Sequence, residues 1–144
     1  MPEWFAKISV APAAGHKEVC ASLPSGYTEV RSPGGLRYWL RLIAAECPRP
    51  LLANVIRTDG DVLSIGLGRP RSFLTYIPAD GNPPYFSVVG DAPEGEEVNF
   101  DCNKESSFYS ARNTVPFEVA LEVVCRFAQS SDLPLPDLVE WEEG

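Results

Sequence analysis

The sequence predicts an α+β fold: a single domain, residues 1–144, with a mainly antiparallel sheet of about five to six strands and two main helices packed on one face. Three observations lead there. Apolar residues recur at helical spacing in two segments, around 36–43 and 117–128. Between these segments, short strand-like runs follow one another through turn residues. That order belongs to sequential hairpins and not to a parallel βαβ sheet. The length of 144 residues, 44% hydrophobic and 22% charged, suits one ordinary globular domain.

Taken in order, Trp4 to Val10 reads as an opening strand, with Trp4, Ala6, Ile8 and Val10 on one parity. The Pro- and Gly-rich stretch 11–26 carries no clear pattern, and a weak second strand is expected at Tyr27–Arg31. Ser32-Pro33 starts a helix: a hydroxyl to cap, then a proline whose missing N–H costs nothing in the first turn. Leu36, Trp39, Leu40 and Ile43 form its apolar stripe, Arg37 and Arg41 sit on other faces, and Cys47-Pro48 ends it.

A hairpin is expected next, Leu51–Thr58 and Asp61–Gly68 around Asp59-Gly60, a residue pair suited to a type I′ turn. That turn would pair Thr58 with Asp61 and Ile56 with Leu63, gathering Leu52, Ile56, Leu63, Ile65 and Leu67 on the helix-covered face. Ala53, Val55, Arg57, Val62 and Ser64 would occupy the half-apolar opposite face. Further strands are expected at Ser72–Ile77, Tyr85–Val89 and about Glu97–Cys102. On the last, Val98, Phe100 and Cys102 point one way and Glu97, Asn99 and Asp101 the other. A second helix should begin after Thr114, with Glu118 complementing its dipole and Phe117, Leu121, Val124 and Ala128 buried. The segment 137–143 sets Trp141 among acids.

The net charge is −8, and it is unevenly placed. Residues 1–90 hold nine bases and seven acids, whereas residues 91–144 hold three bases and thirteen acids. Nucleic-acid binders usually carry a basic excess, so direct binding to a polyanion is disfavoured. The acidic part reads either as a solvated face or as a surface that docks a basic protein. No stretch approaches the ~20 apolar residues of a membrane span. Acidic Glu3 beside Trp4, with no basic lead into an apolar run, reads as mature protein and not as a signal peptide.

Chemistry-bearing motifs are few. Cys20, Cys47, Cys102 and Cys125 lie far apart with no C-x-x-C pair, so they read as reduced core thiols and not as metal ligands. His16 is the single histidine, and no G-x-S-x-G elbow accompanies it. His16-Lys17-Glu18 matches half of a zinc-deaminase signature, but the P-C-x-x-C half is absent. Gly66-Leu67-Gly68 lacks the third glycine and the following helix of a dinucleotide site. These glycines read as a strand bend or a close backbone approach. Neither catalytic residues, nor a cofactor, nor a metal follow from the sequence.

Several segments together carry a resemblance. Asp61-Val62-Leu63-Ser64-Ile65-Gly66-Leu67-Gly68 is followed by Ser72-Phe73-Leu74-Thr75-Tyr76 and by Tyr85-Phe86-Ser87-Val88-Val89-Gly90-Asp91. A Val115-Pro116 helix start and Leu133-Pro134 leading to Glu140-Trp141-Glu142-Glu143 complete the set. Over about residues 36–143 the chain resembles the deaminase-associated immunity proteins of bacterial polymorphic toxin systems, the first-numbered class of that collection. The resemblance implies a cytoplasmic, non-enzymatic protein that binds a cognate deaminase toxin domain and blocks its active site. It carries no catalytic motif over.

A nucleic-acid deaminase offers its substrate a positively charged groove, so its inhibitor gains affinity and association rate from an acidic surface. The partner-binding residues expected on that basis are Glu96, Glu97, Asp101 and Glu105, then Glu140 and Glu142, facing a basic toxin domain one to one. Trp141 is the aromatic anchor, or equally a C-terminal plug packed on the sheet. Two other classes stay open: an acidic interaction domain with a different partner, and a small-molecule binder with a sheltered pocket beside His16 and Cys20.

Overall fold

Alternation in the first strand sends Ala6 and Ile8 inward, both essentially inaccessible, and makes β1 (Ala6–Val10) a core strand. The computed structural model describes residues 5–10, 18–20, 23–24, 26–46, 50–92, 95–102, 105–129 and 139–143. A small pair, β2 (Glu18–Cys20) and β3 (Leu23–Pro24), leads into β4 (Gly26–Val30), which runs antiparallel to β1. Helix α1 (Pro33–Glu46) begins where the cap chemistry places it: Gly35 N–H donates to Ser32 Oγ at 3.0 Å. Its Leu36, Leu40 and Ile43 are fully buried, each contributing roughly 1.5–3 kcal/mol of apolar burial.

The sheet then continues through β5 (Leu51–Arg57), β6 (Val62–Leu67), β7 (Arg71–Ile77) and β8 (Phe86–Val89) as successive antiparallel neighbours. A hairpin of β9 (Glu97–Cys102) and β10 (Glu105–Ser110) joins β5 through the parallel contact Leu51↔Asp101. After the short 3₁₀ turn Ala111–Asn113 come β11 (Thr114–Pro116) beside β7, helix α2 (Phe117–Gln129), and β12 (Glu140–Glu143) beside β8. The main path is β10-β9-β5-β6-β7-β8-β12, with β1 also paired to β5. This is the expected α+β architecture, with both helices over one face of a mainly antiparallel sheet. Ten of the described strands belong to that sheet, where five to six were expected. The additions include β10, β11 and β12, short runs lacking a turn signal strong enough to mark them.

One expectation is corrected in its register. Arg57 N–H donates to Asp61 O at 2.9 Å and Ile56 pairs with Val62, so the loop is the three residues Thr58, Asp59 and Gly60. Gly60 takes φ +95°, the position a three-residue hairpin loop gives to glycine. Because side chains alternate, one residue of loop length turns the whole of β5 over relative to β6. Leu51, Ala53, Val55 and Arg57 therefore face the helices with Leu63, Ile65 and Leu67, while Leu52 and Ile56 lie on the opposite face. Val62 and Ser64 stay on that opposite face as expected, now paired with Ile56 and Asn54.

The close approaches expected around Gly66 are real, and differ in kind. A Cβ on Gly66 would lie 2.5 Å from the Phe100 ring, so the neighbour there is an aromatic face. Gly68 has φ +98°, and a Cβ on it would stand 3.1 Å from the Pro50 backbone, so there the neighbour is main chain. Trp4, His16, Lys17 and Cys47 lie outside the described residues, as do the side chains of Cys20 and Cys102. Cys125 is a buried free thiol.

Candidate partner-binding surface

The acidic C-terminal third does not act as one undivided surface. In α2, Glu118 receives two hydrogen bonds from Arg41 of α1 at 2.7 and 2.8 Å, and Glu122 pairs with Arg37 and with Arg126. These guanidinium contacts hold both carboxyls below the usual range. Two arginines of the basic half are thus engaged in clamping α1 to α2.

Glu96 and Glu97 are exposed at the start of β9, and Glu140 is exposed on β12. The 3₁₀ turn brings these two places together. Ala111 N–H donates to Glu96 O at 2.9 Å, and Arg112 binds the Glu142 carboxylate at 2.5 and 2.6 Å. Asn113 adds a hydrogen bond to Glu142 at 2.8 Å and another to Val88 O. Glu142 is accordingly held below the usual carboxylate range, first by Arg112 and then by Asn113. Asp91 joins this end of the sheet, its side chain 90% exposed although it receives a hydrogen bond from Arg71. Asp101 and Glu105 lie toward the opposite end of the β9–β10 hairpin, where Glu105 pairs with Cys102. Four residues of strand separate Asp101 from Glu97, about 13 Å at strand rise. Their side chains, Asp101 and Glu105, lie outside the described residues.

Strand parity sorts the remaining expected residues. Trp141 is opposite Val88 and packs partly buried on the core, whereas Glu140 and Glu142 project to the other face with Val89 and Ser87. Trp141 therefore contacts the helix-side core while staying partly accessible.

The face of the sheet away from the helices holds what the sequence reading missed. In direct register, Asn54 pairs with Ser64, Ser64 with Thr75, Thr75 with Ser87 and Ser87 with Glu142. Five strands thus place one polar side chain each in a single transverse row. Asn54, Ser64, Thr75 and Ser87 of the row, with Leu52 and Ile77, floor a groove of about 720 Å³, walled by Phe108, Tyr109 and Ser110 of β10 and by Phe73 and Tyr85; Glu142 continues the row beyond it. Tyr109 stacks on Phe73 with centroids 4.0 Å apart, while Phe108 is 67% exposed. A two-residue hairpin loop hides this row, because it offsets Asn54 from Ser64. The aromatic pair in Glu105–Ser110, flanked by serines, was the sequence signal available for the wall.

Among the described residues no group of three His, Cys, Asp or Glu side chains could hold a metal ion, and no helix is long and apolar enough to cross a membrane. The fold and surface define an α+β protein with one sheet face closed by helices and the other open, crossed by a polar row between apolar side chains and acidic at one end. Residues 25–143 match the family model described as Immunity protein Imm1, and the chain belongs to that immunity protein family. No curated protein matches it. Such a family implies binding to a cognate toxin.

Proposed function

We propose that this protein neutralises a nucleic-acid deaminase toxin domain in the cytoplasm of the cell that makes the toxin. It binds one to one, covers the toxin's substrate groove, and performs no chemistry itself. The observation that carries this reading is the grouping of the exposed carboxylates Glu96, Glu97 and Glu140, with Asp91 and Glu142, around the 3₁₀ turn. A domain that binds a polyanion must be locally basic, and an acidic patch of this kind speeds encounter and excludes wrong partners. Family membership supports the toxin partner, and the resemblance to deaminase-associated members supports its class.

The experiment is charge reversal where the carboxylates are exposed. Glu96→Lys with Glu97→Lys is expected to weaken inhibition of the deaminase domain encoded beside this protein by about 100-fold at low salt. The melting temperature should stay within a few degrees, because both residues are exposed and surface substitutions rarely move stability by more than ~0.5 kcal/mol. Inhibition as strong as wild type would place the interface elsewhere.

A further inference from the structure

We propose that the transverse row Asn54–Ser64–Thr75–Ser87–Glu142 is a docking track for an extended segment of the partner protein, with a lysine or arginine of that segment at the Glu142 end. This rests on the reading of the partner as a basic toxin domain and adds where and how a piece of it is held.

The row is built as a recognition surface would be. Its five positions cross five adjacent strands, so it spans about 19 Å at the usual strand spacing, enough for five or six extended residues. On the helix side, the neighbouring positions Leu63, Ile65, Leu74 and Val88 are all apolar and fully buried. On the groove side every position of the row is polar, although Ser64 and Ser87 are themselves almost inaccessible. The hydroxyls of Ser64, Thr75 and Ser87 are already hydrogen-bonded within the sheet, so what the row still offers a ligand lies at its Asn54 end and in the charge at its Glu142 end.

Its remaining hydrogen-bonding capacity is specific. Ser64 Oγ donates to Asn54 Oδ1 at 2.5 Å and Thr75 Oγ1 donates to Phe86 O at 3.2 Å. With Oδ1 engaged, the Asn54 amide N–H groups call for an acceptor, and a peptide carbonyl supplies one. The opposite end of the row is Glu142, with Glu140 two residues away on the same parity. Two carboxylates against one guanidinium, Arg112, leave that end negative, which sets the polarity of the segment. The exposed Phe108 ring on the wall gives the segment an apolar contact, and aromatic side chains that become buried on binding are frequent anchors of protein interfaces.

The test uses the full-length protein and the deaminase domain encoded next to it, with affinity measured by titration calorimetry. Asn54→Trp fills the track from its β5 end and is expected to weaken binding at least about 100-fold, with a fall of a few degrees in melting temperature because Ser64 loses its acceptor. Phe108→Ala removes a largely exposed side chain, is expected to weaken binding about thirtyfold, and decides the matter if Asn54→Trp alters folding. Wild-type affinity in the deciding variant, alongside weakened binding by Glu96→Lys/Glu97→Lys, would overturn the docking track and leave the acidic-surface reading standing. Absence of binding by the wild-type protein would overturn both.

Discussion

Replacing Arg57 by alanine is expected to lower stability by about 3–5 kcal/mol, the usual loss when one partner of a buried ion pair is removed. Arg57 is 2% exposed, yet its guanidinium is fully engaged. Its Nη2 lies 2.8 Å from Asp59 and 2.9 Å from Asp61, and Nη1 donates to Phe127 O at 3.2 Å. The same group sits 4.5 Å over the Phe127 ring. It therefore ties the β5–β6 loop to the C-terminal turn of α2, where a cation also complements the helix dipole. Asp61 in turn accepts from Tyr76 OH at 2.7 Å and from Ala79 N–H at 2.9 Å. Burial first, then the Asp61 hydrogen bond, pushes the Tyr76 phenol up to about 12. Without Arg57, Asp61 would keep a half-buried charge with no cation, and α2 would lose its contact with the loop. Denaturant unfolding measures the effect, and a loss under about 1 kcal/mol would show that water replaces the arginine at little cost.

Gly90→Ala is expected to cost about 3 kcal/mol, or a fall of roughly 10 °C in melting temperature. A Cβ at this position would stand 1.8 Å from Thr114 O. That neighbour is main chain, so no side-chain rotation relieves the overlap. Gly90 N–H also donates to Arg112 O at 2.8 Å, so the displaced segment is the one that holds the 3₁₀ turn. The damage should therefore extend to function: Arg112, Asn113 and the Glu142 they hold would shift with it. Gly81→Ala is the control, because nothing lies within 4 Å of its Cβ position and its φ of +76° alone sets the penalty. Equal melting temperatures for Gly90→Ala and wild type would contradict the packing described for β8 and the turn.

These two residues mark the boundary of what was legible in the chain. Both helices follow from periodicity and capping, since Ser32-Pro33 and the 117–128 stripe leave the backbone few alternatives. The strands from 51 to 102 follow from alternation and turn residues. The hairpin register does not, because Asp59-Gly60 suits both a two-residue loop and the last two positions of a three-residue one. That single ambiguity decides whether Arg57 lies on an outer face or in the core, and whether the polar row on the groove side is continuous. Gly90 is a related case: its crowding comes from Thr114, a contact set by tertiary packing between separate strands.

The candidate surface was legible in part. Glu96, Glu97 and Glu140 are exposed, as residues offered to a partner must be, and the turn at Ala111–Asn113 gathers them. Composition could not reveal that Glu118 and Glu122 are neutralised by Arg41 and Arg37, because ion pairs between α1 and α2 depend on the helices lying side by side. Nor could it tell that Trp141, placed opposite Val88, turns toward the core.

The central claim is tested most directly by mixing the purified protein with the deaminase domain encoded beside it and following base conversion against molar ratio. The account predicts that conversion falls linearly and ceases near one equivalent of this protein per toxin domain. Full conversion at a large excess of folded protein would contradict it.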